Sequence, residues 1–107
     1  MNTHVVVSHG ADFFGEDRHP REAIVRLGHF ADAALPAVDR RPVVELLESA
    51  AAGTIPPDRA AQLSELLLKL SRCRHLAAKP SALARALADA ADRAAVAGEP
   101  WEWRLAT

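Results

Sequence analysis

Apolar positions recur along this chain at two different periods, and the change from one to the other marks out its elements. Near the start, Val5, Val6 and Val7 run together after Thr3 and His4 and stop short of Gly10. β-Branched residues favour an extended, pleated backbone, and three in a row leave neither face polar. Thr3 to Ser8 is therefore predicted as a strand buried on both faces. Near the end, Trp101, Trp103 and Leu105 alternate with Glu102 and Arg104. A period of two predicts a strand with one face in the core, and Pro100 just ahead of it suits a strand start. The two terminal strands are expected to pair.

Between them the helical period appears four times. Ile24, Leu27, Ala31 and Leu35 line one face of a first helix from about Pro20 to Ala34, with Asp17 or His19 as its cap and Pro36 beyond its end. Val43, Val44, Leu46, Leu47 and Ala50 form the stripe of a second, from about Arg40 to Ala52, opened by Asp39 and stopped at Gly53. Leu63, Leu66, Leu67 and Leu70 face inward on a third, from about Pro57 to Cys73. The fourth, from about Pro80 to Ala97, turns Leu83, Leu87, Ala90 and Ala94 inward and ends at Gly98. Its outer face carries Arg85, Asp89 and Arg93 at steps that favour weak surface pairs. Small inward residues predict close approach and a central place for this helix. The order βααααβ is that of an α+β fold, four helices packed on a minimal sheet formed by the N- and C-terminal strands, with residues 1–107 as a single domain.

That sheet raises a question. A two-stranded ribbon is marginal alone, and a strand apolar on both faces needs cover on its second face. Self-association through the terminal strands, as a homodimer, or docking of a protein partner there would supply it.

Half of the residues are hydrophobic and a quarter charged, which fits a globular chain rather than a disordered one. The net charge is −1 with the signs interspersed, so no basic block stands ready to neutralise a run of phosphates and nucleic acid is not expected as a partner. The nearest approach to such a block is Arg72, Arg74, His75 and Lys79, between the third and fourth helices. Asp89 and Asp92 make the fourth helix a poor recognition helix, and cations near the negative C-terminal end of the third helix account for this cluster better. No apolar run approaches the ~20 residues of a membrane span, and no signal pattern opens the chain, so a cytoplasmic protein without membrane contact is expected. Cys73 is the single cysteine; it cannot form an internal disulfide and reads as a small buried hydrophobe.

The chemically dense stretch runs from Ser8 to Pro20, and loops on a rigid frame supply most functional groups. His9, Asp12, Phe13, Phe14, Glu16, Asp17, Arg18 and His19 are the candidate binding residues. His9, Asp12 and His19 are the candidate metal ligands, and a divalent metal is the one cofactor they suggest, although no zinc or calcium motif is present. His29 and Asp32 form a second pair at helical spacing. Glu16 or Asp17 beside His19 or His29 has the makings of an acid/base pair. Ser8 and His9 do not, because neighbours in a strand point to opposite faces. Gly10, Gly15, Arg18 and Arg21 suggest an anion site ahead of a helix, opposed by three carboxylates in the same loop. The expectation is a small interaction or regulatory domain that binds a protein partner or itself. The alternative is a metal- or acid/base-dependent enzyme, or a ligand-binding protein, using the His9–His19 loop.

Overall fold

The computed structural model describes residues 3–9 and 16–107, with His9 described by its backbone alone. The described residues form β1 (His4–His9), β2 (Asp17–Pro20), α1 (Arg21–Ala34), α2 (Ala37–Ser49), β3 (Gly53–Ile55), α3 (Pro57–Ser71), α4 (Ala78–Ala97) and β4 (Trp101–Ala106). The fold is α+β, with the terminal strands β1 and β4 paired antiparallel at the centre of the sheet. Two further strands widen it to four, in the order β2-β1-β4-β3, antiparallel throughout.

The added strands correct the expected caps. Asp17 and His19 do not open α1; they lie in β2, opposite Val7 and Val5. Pro20 takes the cap position without a side-chain bond, and the Arg21 N–H donates to the Thr3 carbonyl at 2.9 Å, tying the helix entry to the sheet. Similarly, α2 begins at Ala37 rather than Arg40, with Pro36 ahead of it. Asp39 falls in the first turn, where a carboxylate suits the helix dipole, and binds Lys69 of α3 at 2.6 Å. Gly53 does not stop α2. Ala50 does, in the left-handed conformation at φ 41°, while Gly53 opens β3. Ala50 is fully buried, and its packing offsets a backbone cost of about 1–2 kcal/mol. Gly98 ends α4 in the left-handed region as expected.

α1 and α4 lie on one face of the sheet, α2 packs on α1 and α3 on α4, and together they enclose the core. Val5 and Val7 point into it, together with Ile24, Leu27 and Ala31 of α1 and Leu35 just beyond its end. Along α4, Ala84, Ala88 and Ala91 let α3 approach closely, and the buried Ser64 hydroxyl donates to the Ala88 carbonyl at 2.8 Å. This helix also touches β1, β4 and α1, which is the central place predicted for it. Of its outer charges, Arg93 reaches across to Asp17 on β2 at 3.3 Å instead of pairing along the helix. Trp101 and Trp103 face inward, ring centroids 5.3 Å apart in an edge-to-face arrangement. Leu105 shares their face but is exposed, at a position of β4 that β3, paired only with Trp101 to Trp103, does not reach.

Val6 points the other way and is still only 4 % exposed. Its cross-strand partners are Arg18 on β2 and Arg104 on β4. The Arg18 head reaches the Thr107 carbonyl at 3.4 Å and the Arg104 head reaches Glu16 at 3.6 Å. Long arginine stems cover apolar surface while their heads stay wet. Stems within the same chain thus account for the burial of Val6, while Arg18, Glu102 and Arg104 leave the rest of that face polar and exposed. Both outer strands are also short, β2 with four residues and β3 with three, so each edge offers few unpaired groups.

Candidate functional site

Strand alternation divides the candidate residues around β2. Asp17 and His19 lie on the helix-covered face, whereas Arg18 lies on the open face, where Glu16 joins Arg104. Glu16 and His19 are therefore not brought together as acid and base. His29 sits between α1 and α2, 3.7 Å from Glu48, while Asp32 meets Arg40 at 4.0 Å, so this second pair is also parted. Among the described residues, no three His, Cys, Asp or Glu side chains gather as a metal would require. Asp12, Phe13 and Phe14, with Gly10 and Gly15, lie outside the described residues, as does the His9 side chain. Cys73 is half-buried against the core and its thiol faces the Lys69 carbonyl at 3.6 Å.

Burial shifts the titration of His19. Its Nε2 is buried without a hydrogen-bond partner among the described residues, and burial lowers its pKa below 6.5, with the Asp17 charge pulling partly the other way. The neutral ring is the form the fold accommodates. Above pH 6.5 neither state binds a proton, so this contribution to stability is fully present. As pH falls below that value, the unfolded chain takes up a proton before the folded chain does, and stability is lost. Urea denaturation at stepped pH values is expected to show this loss below 6.5, and His19→Gln is expected to flatten it. An unchanged slope in the variant would assign the loss to other groups.

Among the described residues, a concave surface lies at the far end of β2. Ala23, Arg26, Leu27 and Phe30 stand at i, i+3, i+4 and i+7 along one side of α1. Facing them are Lys79, Pro80 and Leu83 in the first turns of α4, and Pro20 closes one end. Together they line a groove of about 290 Å³. It exists because α1 packs chiefly on α2 and α4 chiefly on α3, so α1 and α4 meet over a shorter stretch. Leu27 is buried, and Phe30 remains 39 % exposed with its ring at the groove. Arg26 and Lys79 are its charged members. Arg26 is held by Glu22 at 2.9 Å, but both side chains are mostly exposed and such pairs hold weakly.

Phe30 is the residue that reading for a single stripe misses. Ile24, Leu27, Ala31 and Leu35 define the core face of α1, and Phe30 belongs to an adjoining face shared with Ala23 and Leu27. The signal is an apolar arc wider than one face needs. Chemically, the groove offers apolar walls and two cations, with no carboxylate, histidine or thiol to move a proton or attack a carbonyl.

No helix among the described residues is long and apolar enough to cross a membrane. No curated protein and no solved structure matches the chain. Residues 10–104 match the family described as Domain of unknown function (DUF7739), and the chain belongs to that family.

Proposed function

We propose that this protein is a small, non-catalytic interaction domain, regulatory in character, that takes a protein partner in the groove between α1 and α4. One observation carries the reading: Phe30 presents a partly exposed aromatic ring in a concave site otherwise lined by Ala, Leu and Pro side chains together with Arg26 and Lys79. Aromatic rings set in apolar hollows carry a large share of binding energy at protein interfaces. The hollow is also near the lower end of the size range for small-molecule sites and open along one side, which suits inserted side chains of a larger partner.

The test is selection of displayed random peptides on the full chain, with Phe30→Asp as the counter-target. Peptides are expected to be recovered that lose about tenfold or more in affinity for the variant, about 1.4 kcal/mol. Recovery only of peptides indifferent to Phe30→Asp would refute groove docking. Sedimentation of the protein alone distinguishes a second copy as the occupant: a dimer broken by Phe30→Asp would make the partner the protein itself.

A further inference from the structure

We infer that the partner segment for this groove is an acidic amphipathic helix; this rests on the docking reading above and adds the chemistry of the occupant. Charge distribution is the first observation. From residue 66 to 88 the chain has no acidic residue, yet it carries Lys69, Arg72, Arg74, Lys79 and Arg85, with His75 among them. Because the whole chain has net charge −1, everything outside that stretch sums to −6. The molecule is therefore polar, with its positive end at the α3–α4 turn, where Lys79 also lines the groove.

These cations are not consumed by the fold. Arg72, Arg74, His75, Lys79 and Arg85 are all exposed. Among the described residues, only Lys69 of the stretch has a carboxylate within 4 Å, that of Asp39. The start of α4 has the same sign. It has no side-chain cap and no acid in its first turn, so its free N–H groups add positive potential beside Lys79. Lys79 and Arg26 line the groove itself, and apolar walls with these two cations, beside the positive α3–α4 turn, complement a segment that is apolar on one side and acidic on its flanks.

Its shape selects a helix. The α1 wall repeats at i, i+3, i+4 and i+7 from Ala23 to Phe30, about 10 Å at 1.5 Å per residue, or two turns. A helix laid in such a groove presents anchors at the same spacing. A partner strand would find only the short edges β2, closed by Pro20, and β3. A bilayer is disfavoured because the groove is concave and the rest of the chain is negative, which opposes an anionic surface.

The experiment uses a peptide library of about 18 residues, long enough for five turns. Apolar residues are kept at i, i+3, i+4 and i+7, and the other positions are drawn equally from Glu, Lys, Gln and Ala. Panned on the full chain, it is expected to yield a pool in which Glu greatly outnumbers Lys. A representative peptide is expected to lose about tenfold or more in affinity for Phe30→Asp and for the double variant Arg74→Glu/Lys79→Glu, and to weaken as salt is raised. Circular dichroism of each variant confirms that it is folded. A pool with Lys equal to or above Glu, still sensitive to Phe30→Asp, would overturn the acidic partner and leave groove docking standing. No pool sensitive to Phe30→Asp would overturn both. Co-sedimentation with phosphatidylserine vesicles, lost in the double variant and unmatched by any acidic peptide, would replace the helix with a lipid surface.

Discussion

Trp101→Ala is expected to cost about 3–5 kcal/mol, a large share of the about 5–15 kcal/mol that holds a domain of this size folded. Trp101 is fully buried and sits where the two halves of the sheet join, opposite His9 of β1 and Ile55 of β3. Its ring packs edge-to-face on Trp103, itself opposite Val7 and Gly53. Truncation would open a cavity between sheet and helices and remove the partner of the Trp103 ring at once. Trp101→Phe is expected to cost far less. It keeps an aromatic ring in the same place and removes an indole N–H that has no hydrogen-bond partner among the described residues. Losing an unsatisfied buried donor offsets part of the lost volume. Urea denaturation followed by far-ultraviolet circular dichroism compares the two without relying on the altered fluorescence. If Ala cost no more than Phe, the ring would not be a core element.

Gly28→Leu is expected to destabilise the chain by about 3 kcal/mol, through crowding rather than a cavity. Gly28 lies where α1 crosses α2. A Cβ there would meet the Glu48 Cγ at 2.9 Å, the Glu48 backbone nitrogen at 3.1 Å and the Leu47 Cβ at 3.1 Å. Glu48 is exposed and can swing its side chain aside. The other two atoms belong to the backbone and to the fully buried Leu47, and they move only if α2 moves. Gly28→Ala would gain up to about 1 kcal/mol of helix propensity against that crowding. A leucine gains the same and needs several more ångströms of space. Because Leu27 and Phe30 stand on the same helix, displacing α1 should also deform the groove, and peptides selected on the wild-type chain are expected to bind Gly28→Leu more weakly. Full stability in this variant would show that the two helices are not held in contact here.

Much of the architecture was legible from periodicity. The α1 stripe of Ile24, Leu27, Ala31 and Leu35 is buried as predicted, and so are Trp101 and Trp103 of the last strand. The two short outer strands were not legible. Asp17-Arg18-His19-Pro20 and Gly53-Thr54-Ile55 have no alternating apolar pattern. They are strands because β1 and β4 present free edges to them, an influence from distant residues. The end of α2 has the same cause: Gly53 carries the local signal for a stop, yet burial of Ala50 decides where the helix ends. The candidate chemistry was legible only as a stretch of sequence. Alternation in β2 then sent Asp17 and His19 to one face and Arg18 to the other, which a linear count of charged residues does not reveal.

What the sequence by itself determined is the set of long elements, the pairing of the two ends and the α+β class. These follow from local periods of apolar residues, repeated over enough positions to outweigh single-residue preferences. Only the tertiary structure decided the four-stranded sheet, the arginine cover over Val6 and the groove between α1 and α4. Each depends on which elements come to lie side by side. The groove is where α1, drawn to α2, and α4, drawn to α3, leave a space between them, and no stretch of either helix encodes that space alone.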